Sequence, residues 1–156
     1  MTVSWHSNVN TKAEVVADYQ QFYLMDDERQ PLIQAEITED DLLRRLRVAP
    51  YIVVFHTASA KEVPVSIDVV ASTPIDELSR WDHVVEFSLE IPSGRIVLAG
   101  CTDYLLEAIR VTSPGSYRGR MYSIGLSGAL EEYRVVLWPG DIAPSIVLKQ
   151  YSGHAI

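Results

Sequence analysis

Short runs of alternating and β-branched residues recur along the whole chain, and clusters of proline, glycine, serine and aspartate separate them. Their spacing, about 8–12 residues, is typical of a β-sandwich or a β-barrel. The pattern is clear in residues 65–69 and 86–91, where apolar and polar residues alternate. Each of these runs is therefore predicted to be a half-buried strand with one face toward solvent.

Other strands follow from the same pattern. Residues 51–57 are apolar on both faces up to His56, which is typical of a central strand. Residues 12–26 are predicted to form one long strand with a bulge or bend near residues 19–21, because the phase of its apolar residues shifts there. Proline-glycine turns predict five further strands, mostly joined as hairpins, at 95–99, 104–112, 117–124, 132–138 and 145–150.

One segment departs from the β pattern and predicts a short helix over residues 38–47. Thr38 is a candidate N-cap, three acidic residues follow it, and three arginines end the segment. These charges complement the helix dipole at both ends. Leu42, Leu43 and Leu46 are expected to form the apolar stripe that packs on a sheet.

Together these elements predict a mainly β fold, an antiparallel Greek-key or jelly-roll-like β-sandwich with one short inserted helix. A minor helical turn is expected at Thr73, where Pro74 would take the first helical position. The chain has 156 residues, a length that favours one domain over residues 1–156.

Charge and cysteine content limit the partners and the compartment. The formal net charge is -8 and no basic run occurs, so we expect no nucleic-acid binding. No apolar stretch approaches the roughly 20 residues of a membrane-spanning helix, so no membrane partner is expected. Cys101 is the only cysteine and the N-terminal residues lack the pattern of a signal peptide. A cytoplasmic location is therefore predicted.

No motif in the chain identifies a reaction. The four histidines and the single cysteine form no zinc-binding pattern, and no glycine-rich phosphate loop is present, so no metal or other cofactor is expected. His56 and His83 lie where a histidine can act as a base in a pocket. For both, a strand-end histidine held by a hydrogen bond is the favoured interpretation. Cys101 is favoured as a small buried residue over a nucleophile.

Two acidic triplets are the candidate partner-binding residues. They flank residues 32–35, so their six carboxylates predict an acidic surface that attracts a basic partner. The alternative is that one triplet caps a helix and the other fills a turn. The six residues are Asp26, Asp27, Glu28, Glu39, Asp40 and Asp41.

Arginines form a second charged set. Arg118 and Arg120 share one predicted strand face with Tyr122, which is compatible with an anion-binding ladder. The favoured alternative places them in cross-strand pairs with carboxylates on a solvated face. The carboxylates considered are Glu107, Glu131 and Glu132.

Four segments resemble the competence protein J family. They are DYQQFY at 18–23, the strand at 51–56, GSYRGR at 115–120 and YRVVLWP at 133–139. Members of that family are small bacterial β-sandwich proteins, and the named member inhibits a nuclease of DNA uptake. The resemblance implies such a fold and an inhibitory function, and the longer loop at 26–50 departs from the shorter family member.

The leading hypothesis is therefore a non-enzymatic cytoplasmic protein that binds another protein, a nuclease or toxin that it neutralises through its acidic surface. An alternative is a small-molecule-binding sandwich, or an enzyme, with a pocket between the sheets that uses His56, His83 or Arg118. A third hypothesis is a homo-oligomer formed by pairing of an exposed edge strand.

Overall fold

The computed structural model of the chain describes residues 9–29, 36–100, 108–111, 113–128 and 130–153. Eleven strands and one α-helix follow one another along these residues. Their bounds are β1 Val9–Val16, β2 Gln21–Asp26, α1 Glu39–Arg44, β3 Leu46–Ala49, β4 Ile52–His56, β5 Glu62–Val69, β6 His83–Ile91, β7 Arg95–Ala99, β8 Ile109–Arg110, β9 Gly115–Ile124, β10 Glu132–Pro139 and β11 Ile146–Lys149.

The strands form two sheets, which confirms the predicted mainly β sandwich. The first sheet, sheet A, has the order β1-β5-β10-β9-β6-β11, and the second, sheet B, has the order β3-β4-β2-β7-β8. Neighbouring strands are antiparallel with one exception, since β5 and β10 run parallel. The interior strand predicted over 51–57 is β4, whose residues 52–55 are all buried.

The segment predicted as one long strand over 12–26 is two strands in different sheets. A 3₁₀ turn at Asp18–Gln20 separates β1 from β2, and Tyr19 and Gln20 both have φ near +60°. The shift in apolar phase thus marks a passage from one sheet to the other. Val15 and Phe22, on either side of the turn, both lie in the apolar core between the sheets.

Two proline-glycine turns also carry the chain between sheets, so the expectation of hairpins through the C-terminal half is wrong for them. The turn at 92–94 joins β6 in sheet A to β7 in sheet B, and the turn at 113–115 joins β8 to β9. A proline-glycine turn can join two strands of one sheet or strands of different sheets. Proline and glycine set the backbone angles of the turn, but they do not determine the sheet to which the next strand belongs. The connection from β9 to β10 is a hairpin within one sheet.

Aromatic side chains fill the space between the sheets. The rings of Phe22 and Phe55 lie 5.2 Å apart between centroids, Phe22 and Tyr133 lie 5.7 Å apart, and Phe55 and Phe87 lie 5.3 Å apart. All four residues are fully buried. This packed interior argues against the alternative of a ligand pocket between the sheets.

The helix is shorter than predicted. Thr38 caps it through a capping box with Asp41, as expected, but it ends at Arg44. Arg45 takes a left-handed conformation with φ of +63°, and Leu46 begins β3, whose ladder with β4 supplies the backbone hydrogen bonds that a longer helix would have made. Six residues cannot form the predicted stripe, and α1 buries none of its side chains. Within the described residues no helix is long and apolar enough to cross a membrane.

The minor helical turn predicted at Thr73 is absent from the structure, where residues 73–78 are irregular. Asp76 does not cap a helix there. Its carboxylate binds Arg120 and Tyr122 on the outer face of sheet A. The contacts of Asp76 with sheet A therefore take the place of the helix-capping role that the local sequence predicts.

Gly119 lies where the core leaves no room for a side chain. A Cβ atom at this position would lie 2.3 Å from Cζ of Phe87 and 2.8 Å from Cδ2 of Leu137. Gly119→Ala is expected to lower the free energy of unfolding by about 1–3 kcal/mol, because the added methyl group would overpack the core. Urea unfolding measures this, with Ser66→Ala in β5 as the control. A loss no larger than that of the control would contradict the packing described here.

Candidate functional site

Asp26, one of the predicted partner-binding residues, lies in the interior with 2% of its surface exposed. Its carboxylate accepts hydrogen bonds from the backbone N–H and the hydroxyl of Ser93, at 3.0 and 2.8 Å, and from the N–H of Glu28 at 2.9 Å. Asp26 thus joins the end of β2 to the turn between β6 and β7. This is a structural role.

Asp27 and Glu28 both bind one guanidinium group, that of Arg95. Arg95 Nε donates to Asp27 at 3.1 Å, and Nη2 donates to Glu28. The hydrogen bonds that Arg95 donates to Asp27 and Glu28 raise the pKa of Arg95. Because the group is exposed, water and salt screen these pairs, and they contribute little to stability.

In the second acidic triplet, Asp41 caps the helix, whereas Glu39 and Asp40 lie on the surface. Asp41 closes the capping box with Thr38 and pairs with Arg44 at 3.1 Å. Burial raises the pKa of Asp41, but the Thr38 hydrogen bonds and the charge of Arg44 outweigh this effect and the pKa is lowered. Glu39 and Asp40 are exposed and form no hydrogen bond or ion pair with any residue that the structure describes.

The two triplets belong to opposite ends of the β2–β4 ladder. Asp26 follows Met25, which pairs with Ile52, whereas the last helical residue, Arg44, lies near the end at which Gln21 pairs with His56. A single surface of six carboxylates is therefore not what the fold presents. Their partner-binding role stays a prediction, and Glu39 and Asp40 are the members best placed for it.

Apolar side chains stand exposed beside these two carboxylates. The exposed fractions are 82% for Tyr19, 45% for Ile37, and 51% for both Leu42 and Leu43. The prediction that Leu42 and Leu43 pack on a sheet is wrong, because the helix ends before it can lie across one. We call the set formed by Tyr19, Ile37, Glu39, Asp40, Leu42 and Leu43 the α1 surface.

A hollow of about 160 Å³ lies at the base of the α1 surface, on the outer side of β4. Arg45, His56 and Gln21 form one row of sheet B there. The Arg45 carbonyl accepts a hydrogen bond from the His56 N–H at 3.0 Å, and His56 pairs with Gln21 in the β2–β4 ladder. Tyr19 and Leu42 complete its wall. The sequence does not predict this site, because the predicted helix over residues 38–47 includes Arg45.

The ring of His56 is held neutral. Burial lowers its pKa to about 4, and the positive charges of Arg47 and Arg45 act in the same direction, while Asp41 opposes them. His56 Nε2 is buried and has no hydrogen-bond partner among the described residues. His56 lies at the end of a strand as predicted, but the predicted hydrogen bond is not formed by its Nε2 atom.

His83 does have the predicted structural role. The N–H of Tyr151 donates to its Nδ1 at 3.1 Å, so Nε2 carries the proton and donates to the Arg44 carbonyl at 2.9 Å. Burial lowers the pKa of His83, which keeps this tautomer neutral. The ring thus joins the end of α1 to the segment after β11. Cys101 lies outside the described residues.

Arg118 and Arg120 form cross-strand ion pairs, as favoured from the sequence, but the pairs are buried and not on a solvated face. Glu86 binds both arginines, Arg120 at 2.7 Å and Arg118 at 3.3 Å, and Asp76 binds Arg120 at 3.1 Å. Arg118 also donates to the carbonyl of Ala143 at 2.9 Å. The arginines are therefore already satisfied by carboxylates and attach two irregular segments to sheet A, and they are not an open anion site.

The carboxylates that pair with these arginines differ from those expected. Glu131 instead accepts hydrogen bonds from the N–H groups of Ala58 and Ser59, at 2.9 and 3.2 Å. Glu132 is exposed at the start of β10, and Glu107 lies outside the described residues. No group of three potential metal ligands comes together in the part of the chain that the structure describes.

The two sheets, the helix on one edge and an exposed surface around that helix define a β-sandwich with a candidate binding face. No family model and no curated protein matches the sequence. Among solved structures, ComJ from Bacillus subtilis, an inhibitor of the DNA-degrading activity of NucA, has a TM-score of 0.69 at 11% identity, covering 83% of this chain and 96% of that one. A second, the product of crocagin biosynthetic gene J, has a TM-score of 0.62 at 19% identity, covering 86% and 99%. The chain therefore has a ComJ-like fold, as its resemblance predicted.

The low pKa of His56 predicts a pH dependence of stability. A histidine whose pKa falls from about 6.5 in the unfolded chain to about 4 in the folded one stabilises the fold fully above pH 6.5 and progressively less down to pH 4. The difference in unfolding free energy between the wild type and His56→Gln should therefore change across this interval. Denaturant unfolding at several pH values, with an NMR titration of the ring, measures it. A His56 pKa near 6.5 would contradict the burial described.

Glu86→Gln tests the buried network. Removing its charge leaves Arg118 and Arg120 with too little negative charge in a poorly solvated site, so a loss of about 3 kcal/mol of unfolding free energy is expected. Asp27→Asn is the matched control, since its ion pair with Arg95 is exposed and should matter much less. Chemical unfolding of both variants distinguishes them. Equal losses would show that burial adds nothing to the Glu86 pairs.

Proposed function

We propose that this protein is a non-catalytic inhibitor that binds a basic protein partner, a nuclease or a toxin, through the α1 surface. The observation that carries the proposal is the outward display of Leu42 and Leu43 by a helix that buries none of its side chains. Exposed apolar side chains grouped beside charged ones are typical of protein-binding sites. Such a surface provides apolar area for contact and charge for attraction.

Helical geometry places the charges next to the apolar residues. Glu39 precedes Leu42 by three residues and Leu43 by four, and Asp40 precedes Leu43 by three, so each carboxylate shares a face with a leucine. Tyr19, exposed at the adjacent turn, is a residue type common among binding hot spots. The apolar side chains would form the centre of the contact and the carboxylates its rim.

The arrangement of charge over the whole chain supports a basic partner. Five arginines are neutralised by ion pairs with carboxylates of the chain itself, while Glu39 and Asp40 remain unpaired among the described residues. The five are Arg44, Arg95, Arg118, Arg120 and Arg134. With a net charge of -8, the protein attracts positively charged molecules and so accelerates their association.

The fold supports an inhibitor in particular, because ComJ, which shares it, inhibits the nuclease NucA. Of the six residues predicted from the sequence, we propose that Glu39 and Asp40 contact the partner and that Asp27 and Glu28 contribute longer-range attraction. Asp26 and Asp41 serve the fold. A cytoplasmic location remains part of the proposal.

The test begins with capture of binding proteins from a native cell lysate at low salt and their elution at high salt. The DNA-degrading activity of each eluted protein is then measured with increasing amounts of the purified protein. Inhibition that saturates at equimolar protein is the expected result. Glu39→Gln combined with Asp40→Asn should slow association about tenfold at low salt and little at high salt.

Glu62→Gln combined with Glu90→Gln is the matched control, since both are exposed carboxylates outside the α1 surface. Leu42→Ser should in addition accelerate dissociation without lowering stability, because its side chain is already exposed. Unchanged association and dissociation in all α1 variants would remove the α1 surface from the proposal. An eluted protein whose activity is unaffected would remove the inhibitory function.

A further inference from the structure

Two nitrogen atoms at the hollow of about 160 Å³ lack a hydrogen-bond partner among the described residues. Arg45 Nε and His56 Nε2 are both buried and form no hydrogen bond within the described part of the chain. A buried polar atom without a partner is costly, and in folded proteins it is usually satisfied by a water molecule or a ligand. Both residues line the same hollow.

The charge of Arg45 is also unusual. Its guanidinium group forms no ion pair with a described residue, although its side chain is only partly exposed. It stacks at 5.9 Å over the ring of Tyr151, which does not neutralise it. The nearby carboxylate of Asp41 is committed to Thr38 and to Arg44. The hollow therefore has an excess of positive charge in an acidic protein.

Arg47 acts on the same histidine, His56. It is two residues beyond Arg45 on β3 and is buried, and its Nη2 donates to the side-chain oxygen of Gln21 at 3.1 Å. Burial and the charges of both arginines disfavour a proton on His56 and lower its pKa. Neutral His56 has one ring N–H, and the tautomer with this proton on Nε2 is a hydrogen-bond donor.

Backbone strain is concentrated at the same place. Tyr19, Gln20 and Arg45 have φ of +60°, +60° and +63°, a conformation that side chains other than glycine adopt rarely. All three residues line the hollow. Strained backbone of this kind is often retained where it positions groups for binding.

We propose that this hollow binds a small oxyanion, held by the guanidinium of Arg45 and the ring N–H of His56. A volume of 160 Å³ is several times the roughly 30 Å³ share of one water molecule, so a phosphate or carboxylate group fits with water beside it. Arginine is suited to such groups because its N–H donors match the spacing of two oxygens. The inference does not depend on the proposed function, since it concerns the protein without a partner.

The experiment is an NMR titration of the full chain with inorganic phosphate at constant ionic strength. Saturable shifts of the Arg45 Nε–H and His56 ring signals are expected, and bound phosphate should raise the pKa of His56 above 4, because it adds negative charge beside the ring. Acetate and O-phosphoserine are titrated in parallel. Binding of all three indicates a site for free oxyanions, whereas tighter binding of phosphoserine indicates an oxyanion carried on a larger molecule.

Arg45→Gln should weaken phosphate binding about tenfold or more, as expected for loss of a charged hydrogen-bond donor. Arg110→Gln is the matched control, an exposed arginine on β8 at the opposite edge of sheet B. His56→Gln is a second variant, also expected to weaken binding, and it keeps the test open if Arg45→Gln fails to fold. Linear, unsaturable shifts, or equal affinity in the Arg45→Gln and Arg110→Gln proteins, would overturn the proposal.

Discussion

Backbone N–H groups at the corners of the sandwich need partners that a strand ladder does not supply. Four connections carry the chain from one sheet to the other, after β1, β4, β6 and β8. At three of these corners a side chain accepts a hydrogen bond from a backbone N–H group. The contacts are Asp26 to the N–H of Ser93 at 3.0 Å, Glu131 to that of Ala58 at 2.9 Å, and Tyr117 to that of Ser113 at 2.9 Å. These contacts fix three of the connections between the two sheets.

The outer face of sheet A depends on a second set of polar contacts. Arg118 and Arg120 cross it with Glu86 between them and hold the irregular segments around residues 74–76 and 143–144. A small apolar cluster that includes Trp81, Tyr122 and Trp138 lies on the same face. The arginines therefore stabilise coverage of this sheet, which removes them from any role in binding an anion.

The edge of sheet B at β3 differs from the outer face of sheet A, because α1 lies beside this edge without burying any of its side chains. His83 fixes the end of α1 by accepting the N–H of Tyr151 and donating to the Arg44 carbonyl. The helix is thus held in position while Leu42 and Leu43 face outward. An exposed apolar surface above a hollow lined by Arg45 makes this edge the candidate site.

Local patterns in the sequence were sufficient for most of the strands and for the start of the helix, but they missed β3 and merged β1 with β2. Of the strand predicted over 104–112, the structure shows β8 at Ile109–Arg110, and residues 104–107 and 112 lie outside the described residues. Alternation of apolar residues identified β5 and β6, and Thr38 identified the cap of α1, because these signals act between residues a few positions apart. The sheet to which each strand belongs, the parallel pair β5–β10, and the end of α1 at Arg44 all depend on pairing between distant segments. The same holds for Asp26, whose partner Ser93 lies 67 residues away, and for Arg118, which meets Glu86 across 32. The sequence does not distinguish an exposed carboxylate from a buried one. The tertiary structure determines which carboxylates are buried, because burial and long-range hydrogen bonds arise only when distant strands meet.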